Sequence, residues 1–251
     1  MRIATWNVNG IRAREAQVLE LIETHAPDVL CIQEVKAPVA KVPAALCDLS
    51  GYWCYWHGET AYSGVGLHLS RSAFAEKPEF WHPAFDAETR IVAARSGSRV
   101  WASVYVPNGG KDFEAKMRFL AALAEWVGDL HARGETLVLC GDMNVAHRDI
   151  DVHPKERKPV IGQRPDERAL FGELLGRGLV DVARALDPNN PELFTWWAPW
   201  RNLRQRNIGW RLDYVLASEP VFARGARCAT YREFGTSDHG PVIAELEPAP
   251  A

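Results

Sequence analysis

The chain has 251 residues, 47% of them hydrophobic and 24% charged, with a formal net charge of -3. That length suits one α/β domain, and the composition excludes a disordered chain. The net charge excludes a polycation, so nucleic-acid binding must rest on a local basic face or on metal that offsets acidic groups.

In chain order, the first strand-like run is Ile3 to Trp6. It begins at the N-terminus, so no signal peptide is expected, and it ends in Asn7-Val8-Asn9-Gly10. Ile11, Val18, Leu21 and Ile22 then fall at helical spacing and predict a helix over Ile11 to Glu23. Val29 to Ile32 predicts the next strand, followed by Gln33-Glu34. Gly64 to Leu69, Arg90 to Ala94 and Val100 to Val106 predict three more. Asp112 is placed to cap a helix whose apolar face is Phe113, Met117, Leu120, Ala121, Ala124 and Val127. The strand Leu137 to Cys140 leads into Gly141-Asp142-Met143-Asn144. A third helix runs from about Asp166 to Leu175 behind Pro165. Leu212 to Leu216 and Pro241 to Leu246 are the last strands. The alternation implies an α/β fold with residues 1–247 as one domain and 248–251 as a frayed tail.

Five cysteines without a CxxC pair, two of them (Cys31 and Cys140) inside apolar runs, imply buried free thiols. The expected setting is a reducing, intracellular, cytoplasmic one. No apolar run reaches membrane-spanning length, so no membrane association is expected. Two long loops stand out. His153 to Arg168 is polar and basic. Asn189 to Gly209 holds Trp196, Trp197, Trp200, Arg201, Arg204 and Arg206. Those rings form either a core patch or a stacking surface for nucleic acid, and the adjacent guanidiniums favour the surface.

The polar motifs stand at strand ends, where sites assemble. Alone, Glu34 is better read as facing water, and Asn7 and Asn9 as a turn before Gly10. Asp142 and Asn144 lie two apart after a buried run. They either close an Asx turn or orient a water, Asp142 as base and Asn144 touching phosphate. The apolar lead-in makes an idle carboxylate costly and favours function. Asp213 offers His239 a carboxylate that orients its ring and raises its pKa. Oxygen donors without thiolates suit Mg²⁺ or Mn²⁺ rather than zinc. A hard cation, a carboxylate base and a His-Asp pair are what phosphodiester hydrolysis needs.

The ordered set WNVNGIRA, QEVK, YSGVGL, YVPNGG, GDMNVAHRDID, NIGWRLDYVLAS and TSDHGPV resembles the exonuclease III family of apurinic/apyrimidinic (AP) endonucleases, within the endonuclease/exonuclease/phosphatase superfamily. The resemblance runs from Ile3 to about Leu246. It implies a four-layer sandwich of two mixed β-sheets flanked by helices. It implies Mg²⁺-dependent cleavage, with Mn²⁺ able to serve, of double-stranded DNA 5′ to abasic sites, with 3′→5′ exonuclease action and trimming of damaged 3′ ends, by a monomer.

Carried over by position, Glu34 is the main metal ligand, with Asn7 and Asp238 beside it. Asp142, Asn144 and His239 complete the set around the metal. Asp142 activates water, Asn144 orients it, and Asp213 with His239 binds the scissile phosphate, as do Tyr105 and Asn108. Tyr62 and Arg90 hold DNA or brace the site. Trp196, Trp210 and Leu212 wall the pocket for the extruded sugar, and Arg201, Arg204 and Arg206 are expected on phosphates. The chain departs from the family pattern at Asn9, where some members have Asp, at Val160, where Asn is common, and at Gly162-Gln163-Arg164-Pro165, where Gly-aromatic-Ser/Thr-Pro is usual. The alternative is a specialised 3′→5′ exonuclease/3′-phosphatase. A catalytically dead binding module is disfavoured, because every expected polar residue is present.

Overall fold

A computed structural model of the chain describes residues 1–247, so the tail at 248–251 lies outside the described residues. Twelve strands form two six-stranded sheets. The first contains β1 (Arg2–Asn7), β2 (Val29–Gln33), β3 (Tyr52–His57), β4 (Val65–Ser70), β11 (Ala226–Thr230) and β12 (Val242–Leu246), in the order β11-β12-β1-β2-β4-β3. The second contains β5 (Glu79–Trp81), β6 (Ile91–Ser96), β7 (Arg99–Tyr105), β8 (Thr136–Asp142), β9 (Leu179–Asp181) and β10 (Asp213–Ser218), in the order β5-β6-β7-β8-β10-β9. Each sheet is mixed: β1/β2 and β7/β8 are parallel, and the other pairs are antiparallel.

Strand parity explains where the core ends and the site begins. Successive side chains alternate between faces. Ile3, Val29, Cys31, Trp101, Val138, Cys140, Val215 and Ala217 fill the seam between the sheets. Continuing each strand by twos along that same inner face reaches Asn7, Gln33, Tyr105, Asp142 and, at the start of antiparallel β10, Asp213. The seam is apolar along its length and polar at one end. A buried polar layer marks the transition: Thr5 Oγ1 donates to Gln33 Oε1 at 3.2 Å, and Gln33 Nε2 to Ser103 Oγ at 3.1 Å.

The outer faces carry helices, giving the four layers expected. Val18 and Leu21 of the helix Glu15–His25 pack over Ala4, Trp6, Leu30 and Ile32. Phe119, Leu120, Leu123 and Val127 of Phe113–Ala132, with Phe171 and Leu174 of Pro165–Gly176, cover the second sheet. Asp112 caps its helix by accepting from Ala115 N at 2.8 Å, and Pro165 stands at the start of the third. No helix among the described residues is long and apolar enough to cross a membrane.

Four strands were not anticipated. β3 (YWCYWH) is aromatic without alternation, β11 (ARCAT) is a mixed edge strand, and β5 and β9 have three residues each. The first helix starts at Glu15, because Gly10 at φ 103 and a short 3-10 turn at Ile11–Ala13 precede it. On Phe113–Ala132 the inward position expected for Met117 is taken by Lys116, which is fully buried against Glu167. Cys31 and Cys140 are buried free thiols, as expected.

Candidate active site

At the polar end of the seam, one ligand atom each from Glu34, Asp142 and His239 lies within 4.8 Å of the other two. Glu34 follows β2, Asp142 ends β8, and His239 precedes β12, so both sheets contribute. Asn7 joins the two carboxylates: its Nδ2 donates to Glu34 Oε1 at 3.0 Å and to Asp142 Oδ2 at 2.9 Å. Its Oδ1 accepts from Asn9 N at 3.0 Å. Asn7 therefore fixes the two carboxylates beside the place where the resemblance implied a ligand.

Several of these residues hold unusual backbone. Asn9 (φ 47), Glu34 (φ 52), Lys36 (φ 50) and Asn144 (φ 52) all lie in the left-handed region. Gly141, before Asp142, has φ 147, and a Cβ there would meet Val104 O at 1.9 Å, so only glycine lets β8 run this close to β7.

His239 is backed by Asp213, whose Oδ2 accepts from Nδ1 at 2.8 Å. Thr195 Oγ1 donates to the same Oδ2 at 2.6 Å and accepts from the amides of Leu212 and Asp213, each at 3.0 Å. With Nδ1 engaged, His239 Nε2 faces the cleft, 3.9 Å from Asp142 Oδ2. Burial opposes charge on the ring, but Asp213, Asp142 and Asp238 outweigh it and raise its pKa to about 10. His239 is thus a cation near neutrality. Its Nε2 can face an anion, and the ring also stands among the three groups whose ligand atoms converge.

The two carboxylates differ. Burial lifts Asp142 to about 7, with Asp213 and Glu34 adding to the rise and His239 opposing it. Burial would lift Glu34 too, but hydrogen bonds from Asn7 and Lys36 and the charge of His239 hold it below the usual range. Lys36 Nζ lies 2.5 Å from Glu34 Oε2. That contact shows the carboxylate accommodating positive charge. The carboxylates of Glu34 and Asp142 fit a hard divalent cation.

Asn144 donates Nδ2 to Val106 O at 2.8 Å, and its own amide binds Asp142 Oδ1 at 2.9 Å. Asp238 has both oxygens engaged, Oδ1 by Asn9 Nδ2 at 2.8 Å and Oδ2 by Trp196 Nε1 at 3.0 Å. It thereby orients Trp196 and Asn9.

A cleft of roughly 370 Å³ opens over these groups. Tyr105, Asn108, Asn144, Trp196, Trp210 and Leu212 line it with Glu34 and His239. Trp196 and Trp210 meet edge to face at 5.4 Å. Burial and the charges of Glu34 and Asp142 raise the Tyr105 pKa, so its hydroxyl keeps its proton. Arg90 is buried with its guanidinium over the rings of Tyr105 (4.9 Å) and Tyr62 (5.3 Å), which makes it a brace.

The Trp-Arg loop divides. Trp196 joins the cleft, Trp197 is core, and Trp200 is 59% exposed. Arg201 and Arg206 face solvent. Arg204 does not: it donates to the carbonyls of Arg232 (2.5 Å), Phe234 (2.7 Å) and Ser237 (2.5 Å) and braces the loop ahead of His239. A phosphate contact by Arg204 is therefore replaced by a structural role. Sequence reasoning missed Thr195, Lys36 and Lys116. The last donates Nζ to Asn144 O at 2.7 Å while paired with Glu167. Only the neighbouring QEVK motif flagged Lys36, and no local pattern marks the other two.

The profile of the endonuclease/exonuclease/phosphatase family matches residues 4–239. Recombination repair protein 1 of Drosophila melanogaster is 34% identical over 248 residues, which are 96% of this chain and 36% of that protein, so the chain spans about a third of that relative's length. A 3′ phosphatase from Neisseria bound to a product DNA hairpin superposes with a TM-score of 0.87 at 34% identity, covering 98% of this chain and 99% of that one. An AP endonuclease from Archaeoglobus fulgidus gives a TM-score of 0.88 at 29% identity over 99% and 100% of the two chains.

Proposed function

The chain belongs to the endonuclease/exonuclease/phosphatase family, and from that premise we propose that it is a DNA-repair nuclease hydrolysing the backbone 5′ to abasic sites, with 3′→5′ exonuclease and 3′-end trimming activity. The observation that carries this reading is the meeting of Glu34, Asp142 and His239 beneath a Trp-walled cleft. Residues 1–247 act as one domain, as a monomer in a reducing intracellular compartment, on double-stranded DNA with abasic sites or damaged 3′ ends.

His239 Nε2 donates to a non-bridging oxygen of the scissile phosphate, and Asp213 holds the ring at the angle this requires. Tyr105 and Asn108 reach the same phosphate from the opposite lip. Asp142 accepts a proton from the attacking water. A base with its pKa near 7 suits that transfer, since about half of it is ionised at neutral pH and it is still basic enough to take the proton. Asn144 fixes Asp142 through its backbone amide and orients the water. A divalent cation on Glu34 and Asp142, Mg²⁺ with Mn²⁺ able to replace it, supplies Lewis-acid charge to the phosphate oxygen when bound. An abasic nucleotide has no base to unstack, so it swings out at little cost. Trp196, Trp210 and Leu212 then enclose a bare sugar and exclude one carrying a base.

A second reading, a 3′-end processor with little abasic cleavage, is favoured by the likeness to the Neisseria 3′ phosphatase and by apolar Val160, 36% exposed on the loop before Gly162. A labelled abasic duplex, with Mg²⁺ and with EDTA, separates the two. Incision 5′ to the lesion that EDTA abolishes supports the first. Release of 3′ phosphate without incision supports the second.

A further inference from the structure

Outside the cleft, His57, His82 and Asp86 form a second cluster, with one ligand atom of each within 4.8 Å of the others. His57 ends β3, His82 follows β5, and Asp86 stands on the turn toward β6. All three residues are partly buried, the side chains of His57 and Asp86 keeping 18% and 7% exposure. His57 Nε2 lies 2.5 Å from Asp86 Oδ2. The two imidazoles stack with centroids 3.7 Å apart and planes 21° from parallel.

His82 is held in one tautomer. Its Nδ1 faces the carbonyl of Ile91 at 3.3 Å, and its Nε2 meets the Tyr55 hydroxyl at 2.9 Å. A carbonyl only accepts, so Nδ1 carries the proton and Nε2 presents its lone pair. Metal-bound histidines are oriented in the same way, one ring nitrogen donating to a carbonyl while the other binds the ion.

We propose that His57, His82 and Asp86 form a second divalent-metal site, suited to Zn²⁺ and separate from the hard-cation site at Glu34 and Asp142. Two imidazoles and one carboxylate are a zinc donor set, with water left to fill the fourth position. Zinc bonds of about 2.1 Å at tetrahedral angles set ligand atoms roughly 3.4 Å apart. His57 Nε2 and Asp86 Oδ2, 2.5 Å apart, open to that spacing around an ion. A turn of the His82 ring out of the stack, away from the Tyr55 hydroxyl, brings in the third ligand.

The site lies one residue away from the cleft brace. Asp86 Oδ1 accepts from the amide of Arg90 at 2.8 Å, and the Arg90 guanidinium covers Tyr105. An ion fixing Asp86 therefore also fixes the turn on which Arg90 stands. Its occupancy stiffens the Tyr62–Arg90–Tyr105 stack without touching the reacting atoms.

The test titrates Zn²⁺ into the full chain under excess Mg²⁺ by calorimetry, with Co²⁺ as a coloured substitute. The expected result is one Zn²⁺ equivalent with a Kd on the order of micromolar or tighter, and tetrahedral Co²⁺ absorption. His82→Ala should lose both, Asp86→Asn should weaken binding at least ~10-fold, and Glu34→Gln should keep both. Should His82→Ala fold poorly, His57→Gln reads the same loss at the other ring. Parent protein that takes up no Zn²⁺ under excess Mg²⁺ would overturn the proposal. So would Zn²⁺ that survives in the histidine variants and disappears in Glu34→Gln.

Discussion

Glu34 stands just past the end of β2 in one sheet and Asp142 ends β8 in the other, each strand being the second member of its sheet's parallel pair. The two carboxylates sit at matching places and share the donor Nδ2 of Asn7. Their surroundings push them apart. Lys36 and Asn7 keep Glu34 ionised, while burial and two neighbouring carboxylates lift Asp142 to about 7. Paired acids whose pKa values diverge take different roles. Under the proposed function, Glu34 holds the cation together with Asp142, and Asp142, poised near neutrality, takes the proton.

The sharpest way to break that division is Asp142→Asn, which keeps the shape and removes the base. Turnover should fall by up to ~10⁴-fold, the upper end for loss of a general base. DNA binding should hold or tighten, because one negative charge facing phosphate is gone. Normal turnover with weak binding, measured on an abasic duplex, would reverse the assignment. Glu34→Ala should cost ~10²–10³-fold, from several kcal/mol of lost Lewis-acid stabilisation, and part should return at high Mn²⁺. Full activity of that variant in dilute Mg²⁺ would show the cation bound elsewhere.

The pH profile sharpens the contrast. Asp142 must be ionised and His239 protonated, so kcat/KM should rise through about 7 and fall through about 10. A cation beside Asp142 moves the acid limb lower. Asp213→Asn removes the charge that most strongly raises His239, so the basic limb should move to lower pH. An unmoved limb would show that the pair does not hold the proton.

The cleft wall and the outer loop give smaller effects. Trp210→Ala should lower abasic incision several-fold more than 3′-phosphate removal, since an internal sugar needs the wall and a frayed end does not. Equal losses in the two rates would make Trp210 scaffold. Arg201→Ala and Arg206→Ala should each reduce the salt slope of duplex binding by about 1. Arg204→Ala should leave the slope alone and lower Tm by about 2–4 °C, a loss of roughly 1 kcal/mol in a chain of this size. A slope change at Arg204 would place DNA on the loop it braces.

The motifs told most of this in advance because each catalytic group ends a strand, where apolar run and polar residue are neighbours in sequence. Asn7, Asp142 and Asp213 were legible for that reason. Thr195 was not, since its partner Asp213 is 18 residues away, and neither was Lys116, whose contact with Asn144 spans 28. Arg204 shows the opposite error. Beside the tryptophans it reads as a phosphate contact, and only the folded loop reveals the carbonyls it already holds. The short strands β5 and β9 carry too few residues to show a period, and β3 is apolar on both faces.

The left-handed residues around the cleft put activity and heat tolerance in opposition. Asn9, Glu34, Lys36 and Asn144 each hold a conformation that costs L-residues about 1–2 kcal/mol. Glycine at these four positions would relieve that cost and would also remove a side chain that binds, orients or charges the site. Selection of this protein for thermal resistance alone should therefore enrich glycine at these sites and return hardy, inactive variants. Selection that also demands turnover should leave all four untouched and find its gains in the outer helices.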